Sequence, residues 1–192
     1  MLSVFINVDH FKLHKEGNTK MKLLVWMVPF LFHIVFLQAG VAAESLTDAA
    51  RKQKIDELYG NYKREFPNVA DFSADQTMKL MDRIKIILVD IREPEEREVS
   101  MIPGAIMERE FFNNSSAYQN NIVVAYCTIG SRSDKLAKKF KKKGISMFNL
   151  SGGILAWLHA GGIVHKDGKP VKRVHVYSKK WDLAPAAIES VW

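Results

Sequence analysis

The 192-residue chain has a single cysteine, Cys127, which excludes an intramolecular disulfide. It also lacks a metal-ligand pattern, because the spacings of His159, His165 and His175 match no known ligand motif. No two carboxylates are placed across a shared site, and no internal repeat or low-complexity tract is present. We therefore predict no metal and no cofactor, and paired-carboxylate catalysis has no support.

Charge is missing from one long stretch, Leu23 to Ala43, which contains no Asp, Glu, Lys or Arg. Lys20 and Lys22 precede it, and Val41-Ala42-Ala43 ends it. A basic start, an apolar run and small residues at a cleavage position are typical of a secretory signal peptide. The sequence thus predicts export, to a bacterial periplasm, with cleavage after Ala43. An uncleaved membrane anchor over residues 23–43 is the alternative, since about 20 apolar residues can span a bilayer.

The predicted organisation of the chain has four parts. Residues 1–43 form the export segment, within which residues 1–20 lack the signal pattern and Met21 would make a natural start. Residues 44–67 form a helical extension, residues 68–165 one domain, and residues 166–192 a C-terminal tail that the sequence does not place. A short cytoplasmic tail on an anchor is the alternative reading of residues 1–20.

The chain is moderately basic, with a formal net charge of +7. Export argues against a nucleic-acid partner, so we expect either a small anionic ligand or a charge that serves only solubility. Membrane contact is expected only if the export segment stays uncleaved. The six lysines between Lys135 and Lys143 fit either a solvated helix face or a basic rim that attracts anions.

After the export segment, short apolar runs alternate with helical patterns. Helices are predicted at 47–66, 73–81, 133–143 and 154–159, and strands at 69–72, 84–91, 122–126 and 145–150. Residues 102–106 are predicted as a turn into another short strand. In the first helix, the predicted apolar face comprises Leu46, Ala50, Leu58, Tyr62 and Phe66. Strands alternating with helices predict an α/β fold in three layers, with a central, mostly parallel sheet between helices.

The stretch from Ile122 to Lys143 is the most informative for chemistry. A buried strand delivers Cys127 to its carboxyl end, a short loop runs to Arg132, and a helix begins at Ser133. Such a loop aims backbone N–H groups at one point, and these donors, the helix dipole and Arg132 all favour an anion there. Gly130 lets the backbone turn tightly. We therefore expect an activated sulfur nucleophile in an anion cradle.

Four segments in order resemble the rhodanese family. They are the loop CTIGSRS (127–133), VDIREPEE (89–96), MIPGAI (101–106) and LSGGILAWLHAGG (150–162), and together they cover about residues 68–165. The resemblance implies the rhodanese-like three-layer α/β/α fold and a single-domain sulfurtransferase of the thiosulfate sulfurtransferase type.

The resemblance further implies a persulfide on the catalytic Cys127. The donor would be a small anion such as thiosulfate, and the acceptor cyanide, a thiol or a protein. The predicted substrate-binding residues are Thr128, Ile129, Gly130, Ser131, Arg132 and Ser133. Asp90 and Arg92 are predicted to support the site, preferably as an ion pair that pins the loop. The neighbouring Glu93, Glu95, Glu96 and Glu98 are interpreted as a solvated helix face.

Two departures from the family pattern and two alternatives remain. Met101 stands where the family often has His, and the uncharged Ile129 weakens the expected preference for a strongly anionic donor. A non-turnover sulfur carrier or protein-interaction module with the same fold is the main alternative. A small cysteine phosphatase is disfavoured, because that related branch has one more residue between Cys and Arg.

Overall fold

Five parallel strands form the central sheet of the computed structural model, which describes residues 46–192. The strands are β1 (Asp71–Phe72), β2 (Ile86–Asp90), β3 (Ile106–Met107), β4 (Ile122–Tyr126) and β5 (Phe148–Leu150), in the order β1-β5-β4-β2-β3. Strands β2 and β4 lie at the centre and are almost wholly buried, as expected for apolar runs covered on both faces. The predicted export segment lies outside the described residues.

Helices cover both faces of the sheet. They are α1 (Asp48–Lys63), α2 (Ala74–Met81), α3 (Pro94–Val99), α4 (Glu108–Asn113), α5 (Ser131–Lys141) and α6 (Gly153–His159). One apolar core joins Leu88 and Val124 to residues of α1 and α6, and a second joins Val89 and Val123 to Phe140 of α5. The alternating side chains of β2 and β4 therefore serve two cores, which confirms the predicted three-layer α/β architecture.

Local sequence signals account for several helix boundaries. Ser73 caps α2 in a capping box with Gln76, and Thr47 caps α1 by accepting a hydrogen bond from the amide of Ala50. The helix after the cysteine loop begins at Ser131, two residues earlier than predicted. Its predicted stripe of Leu136, Ala137 and Phe140 is buried, as is Trp157 of α6, and the six lysines from 135 to 143 are exposed.

The buried face of α1 differs from the predicted one. Ile55 and Tyr59 are buried, whereas Leu46 is 53% exposed and Leu58 and Tyr62 are only partly buried. Its two buried side chains, one aliphatic and one aromatic, contact the loops of the sheet. The helix is therefore rotated about its axis relative to the predicted apolar face. Complete burial of a side chain such as Ile55 contributes about 1.5–3 kcal/mol.

The C-terminal tail, which the sequence did not place, packs on the domain. Strands β6 (Val164–Lys166) and β7 (Lys169–Val171) form a hairpin, and β8 (Arg173–His175) pairs in parallel with β9 (Glu189–Val191). A 3₁₀ turn spans Lys179–Trp181 between them. Val174, Val176, Leu183 and Ala184 join the apolar core, so residues 46–192 form one compact unit.

None of the helices within residues 46–192 is long and apolar enough to cross a membrane.

Candidate active site

Cys127 follows β4 directly, at the carboxyl edge of the parallel sheet where α/β folds place ligands. Its side chain is buried, with 1% of the residue exposed. The amide of Gly130 donates a hydrogen bond to the Cys127 sulfur at 3.1 Å, and the Ser133 hydroxyl lies 3.6 Å from it. The Ser133 hydroxyl also lies 3.1 Å from the Gly130 carbonyl, so the Gly130 amide is the donor committed to the sulfur and the loop curls around it, as the sequence predicted in outline.

The amino end of α6 holds the start of this loop in place. The amide of Ile154 donates to the carbonyl of Cys127 at 2.9 Å, and that of Leu155 to the carbonyl of Thr128 at 3.3 Å. Gly153 permits this approach, because a Cβ there would lie 2.3 Å from the Cys127 carbonyl oxygen. Gly153, the first residue of α6, thus serves the cysteine loop, although the two segments lie some 25 residues apart in the chain.

Arg132 forms a two-pronged ion pair with Glu96 across the loop. The Nη1 and Nη2 atoms lie 2.6 and 2.8 Å from the two carboxylate oxygens. Nη2 also donates to the Thr128 hydroxyl, which in turn donates to Glu96 at 2.7 Å. Glu96 is 1% exposed, so its interpretation as part of a solvated face was wrong, whereas Glu93, Glu95 and Glu98 are exposed.

The pKa values of this pair follow from its contacts. Burial opposes the charge on Glu96, but hydrogen bonds from Arg132 and Thr128 keep the pKa of its carboxyl below the ordinary value. Burial also opposes the charge on Arg132, yet the bond to Glu96 and the nearby Cys127 sulfur raise the pKa of the guanidinium. Both partners therefore stay charged at neutral pH and cancel each other's charge.

Asp90 and Arg92 form a second buried ion pair, beneath the first. Arg92 Nη2 lies 2.6 Å from an Asp90 carboxylate oxygen and donates to the carbonyl of Ser100. The Tyr126 hydroxyl donates to Asp90 at 2.6 Å and accepts from the amide of Ile102. These contacts tie β2 and β4 to the segment before β3 and agree with the expected pinning role.

Helix α1 supports the loop from the protein interior. Gly130 has φ +102°, and a Cβ there would lie 2.7 Å from the ring of Tyr59. Lys63, at the end of α1, contacts Asp134 in the first turn of α5 at 3.0 Å and Asp71 of β1 at 2.5 Å. The predicted need for glycine at position 130 therefore has two causes, the left-handed backbone and the adjacent Tyr59 ring.

The tail reaches the same loop from the solvent side. The ring of Tyr177 lies over the Arg132 guanidinium, 5.1 Å from its Cζ atom, and Tyr177 itself is 54% exposed. Trp181 stacks obliquely on Tyr177 with ring centroids 5.5 Å apart. Arg132 is thus paired with Glu96 and lies over the aromatic ring of Tyr177.

The structure brings together most of the predicted site residues. Cys127, Thr128, Gly130, Arg132 and Ser133 share the contacts described above. The side chain of Ile129 instead packs in the apolar core, so only the backbone of Ile129 takes part in the cysteine loop. Ser131 is half-buried, and the backbone of Met101 pairs with that of His165, away from the sulfur.

Three residues that contribute to the site were not predicted from the sequence. Glu96 carried a signal in its place three residues after Glu93, since its carboxylate accepts from the Glu93 amide at the start of α3. Tyr59 and Tyr177 carried none, because each reaches the loop from a distant part of the chain. Within residues 46–192, no group of three or more His, Cys, Asp or Glu is placed to hold a metal ion.

Comparison with known proteins agrees with this geometry. The profile of the rhodanese-like domain matches residues 73–160. A sulfurtransferase from Allochromatium vinosum is 34% identical over 93 residues, a match that covers 46% of this chain and 87% of that protein. The chain belongs to the rhodanese-like family.

Two further relatives share the family. Thiosulfate sulfurtransferase GlpE from Pseudoalteromonas translucida is 26% identical over 97 residues, covering 44% of this chain and 85% of that protein. A rhodanese-like domain protein from Staphylococcus aureus, known from its crystal structure, is 27% identical and covers 52% of this chain and 95% of that chain, with a TM-score of 0.42. Helix α1 and the whole C-terminal tail lie outside the residues that the family profile matches.

Proposed function

We propose that this rhodanese-like chain is a sulfurtransferase that moves a sulfane sulfur from a donor such as thiosulfate to a thiophilic acceptor through a persulfide on Cys127. Membership of the family and the sulfurtransferases among its relatives support the general activity. The observation that carries the proposal is the position of the Cys127 sulfur at the end of β4, 3.1 Å from the Gly130 amide inside the loop.

In this proposal Cys127 acts as the nucleophile and the loop stabilises charge. The thiolate attacks the outer sulfur of thiosulfate, a new S–S bond forms, and the electron pair of the broken bond leaves with sulfite. The persulfide carries one negative charge, and the backbone amides of the loop, of which that of Gly130 donates to the Cys127 sulfur, would stabilise it. Cyanide then takes the outer sulfur as thiocyanate and restores the Cys127 thiolate. Arg132, held by Glu96, keeps the loop in shape beside the reacting sulfur.

The decisive experiment is the intact mass of the reduced protein after incubation with thiosulfate. We expect a gain of one sulfur atom, lost when cyanide is added and absent in a Cys127→Ser variant. The variant is a matched control because the side chain barely changes in size. A folded, reduced protein that gains no sulfur from thiosulfate or from any other sulfane donor would refute the proposal.

A sulfur carrier that does not turn over alone is the second candidate, and the burial of Cys127 favours it. With 1% of the residue exposed, the sulfur is shielded from solvent until the loop or the residues packed over it move. A carrier would load one sulfur per chain yet release thiocyanate only slowly under steady-state conditions. A catalytic enzyme would produce many thiocyanates per chain at excess donor and cyanide, so one turnover assay separates the two.

The proposal also includes export of the protein through residues 1–43, to a bacterial periplasm. Its support is the apolar, uncharged run that ends in Val41-Ala42-Ala43. Expression of the full chain in a bacterium, followed by fractionation and mass measurement, tests it. A periplasmic protein beginning at Glu44 is the expected result, a membrane-bound chain that retains residues 23–43 would support the anchor instead, and a full-length cytoplasmic protein would refute export.

A further inference from the structure

The loop that carries Cys127 is open to solvent at one point along its length. Residues 127–130 are buried, as is Ser133, whereas Ser131 and Arg132 are half-buried. Ser131 and Arg132 are therefore the loop residues that a donor arriving from solvent meets first. Groups that contact the Arg132 guanidinium are the candidates for an influence on donor choice.

Tyr177 is one of those groups, and the tail places it there. Its ring lies 5.1 Å from Arg132 Cζ, and about half of the residue is open to solvent. An aromatic ring in this position presents a flat apolar surface at the approach to the sulfur.

The backbone at Tyr177 is strained, which indicates that its position matters. Its φ is +68°, in the left-handed region that a bulky side chain rarely adopts. The amide of Tyr177 donates to His175 Nδ1 at 3.0 Å, buried Val176 anchors the preceding position, and Trp181 packs on the ring. Such strain persists where the surrounding structure imposes it, commonly beside a functional site.

The charge balance around the sulfur points to the kind of donor. Arg132 is paired by two bonds with Glu96, and Arg92 is paired with Asp90 in the same manner. Each guanidinium is already neutralised by a carboxylate, so neither adds a net positive charge for a doubly charged ligand. Thiosulfate carries two negative charges on a small ion, whereas an alkyl persulfide carries at most one and adds an apolar group that can lie against an aromatic ring.

We propose that Tyr177 is a specificity-determining residue that favours organic persulfides over thiosulfate as the sulfur donor to Cys127. This inference rests on the proposed sulfur transfer. The Cys127 thiolate bonds to the outer sulfur of R–S–SH, the S–S bond of the donor breaks, and its electron pair leaves as the thiolate R–S⁻. The proton stays on the transferred sulfur, so atoms and charge balance without a further reactant.

The test is the rate at which Cys127 gains sulfur from cysteine persulfide and from thiosulfate, followed by intact mass at several donor concentrations. For the wild-type protein we expect the persulfide to load at least about tenfold faster per mole of donor. Tyr177→Ala should lower that ratio about fivefold or more, because the persulfide loses an apolar surface that thiosulfate does not use. Tyr177→Phe, which keeps the ring, should retain the ratio within about twofold.

Trp192→Ala is the matched control, because Trp192 is an equally exposed aromatic of the tail with 55% of its surface open. It should leave the ratio unchanged. A wild-type preference for thiosulfate, or a Tyr177→Ala variant that slows both donors by the same factor, would overturn the role of Tyr177 while leaving the sulfur transfer intact. A wild-type protein that loads from neither donor would overturn the persulfide preference, and one that loads from no other sulfane donor either would overturn the sulfur transfer as well.

Discussion

Helix α1 and the C-terminal tail contact the same cysteine loop, but α1 does so through buried groups and the tail through an exposed one. On the α1 side, Tyr59 packs on Gly130 and Lys63 is paired with Asp134, whose side chain is wholly buried. On the tail side, Tyr177 covers Arg132 while half of it stays in solvent. The buried and the exposed contact contribute differently to stability, because the free energy lost when a side chain is removed depends largely on its burial.

The difference suggests a division of roles around the loop. The α1 side fixes the backbone from within, so its loss should lower the free energy of unfolding. The tail side borders the approach to the sulfur, so its loss should change which donors react and leave stability nearly unaltered. The two sides also meet, since Arg51 of α1 donates to the Ala184 carbonyl at 2.6 Å.

The largest effect is expected where α1 touches the loop backbone. Gly130→Ala adds a Cβ 2.7 Å from the Tyr59 ring and imposes a left-handed backbone on alanine. We expect the free energy of unfolding to fall by about 2–5 kcal/mol, from the backbone and packing terms together. Urea unfolding measures it. The double variant with Tyr59→Ala should show a smaller further loss than Tyr59→Ala causes in the wild type, and simple additivity would contradict the contact.

The ion pair at the end of α1 comes next. Lys63→Met leaves the buried Asp134 without its cation, and we expect unfolding to become easier by about 2–4 kcal/mol. Lys52→Met is the matched control on the same helix, because Lys52 and Asp56 form an exposed pair 2.7 Å apart. That variant should change stability by less than about 1 kcal/mol. Equal effects from both lysines in urea unfolding would remove the distinction between buried and exposed support.

The pH dependence of stability offers a finer test of the α1 side. Burial raises the pKa of Asp134 to about 6, against the opposing effect of Lys63, with Asp71 and Tyr59 also facing the carboxyl. Since this pKa lies above the unfolded value of about 3.9, the stability that Asp134 contributes is fully present below about pH 4. It is lost as the pH rises through about 6.

Asp134→Asn cannot titrate, so its stability relative to the wild type should increase with pH. We expect a change of about 1–3 kcal/mol in that difference between pH 4 and pH 7.5. Paired urea titrations at the two pH values measure it, and the fixed effect of the amide cancels in the comparison. A difference that stays constant with pH would show that Asp134 ionises as an ordinary exposed acid.

The smallest effect is expected at the junction of the two sides. Arg51→Ala removes the hydrogen bond to the Ala184 carbonyl and should lower the free energy of unfolding by about 1 kcal/mol. Asp48→Ala, which removes the bond from the Ala186 amide at 2.8 Å, should have a similar effect. If either variant alters the persulfide-to-thiosulfate ratio as strongly as Tyr177→Ala does, the two sides of the loop are coupled rather than separate.

Structural features that depend on residues close together in the chain could be predicted from the sequence. The β4 strand has the predicted bounds, Ser73 caps α2, and the loop from Cys127 to Ser133 curls around the sulfur. Each of these follows from a run of fewer than a dozen residues whose apolar pattern, cap or glycine acts locally.

Contacts between distant segments could not be predicted in the same way. Glu96 looks like its exposed neighbours in the sequence, and only the adjacency of β2 and β4 brings it to Arg132. The face of α1 depends on which loops it meets, and Tyr177 reaches Arg132 through a tail without strong periodicity. Pairing across 36 or more residues is set by the sheet order, which no local pattern encodes.

The burial of Cys127 has one more consequence. As the single thiol of the chain, with 1% of the residue exposed, it can meet an alkylating reagent only when the surrounding structure opens. The labelling rate of the native protein, divided by that of the unfolded chain, therefore reports the equilibrium for that opening. The Cys127 thiol is therefore a native probe of the opening motion that a sulfur donor would require, and no introduced label is needed.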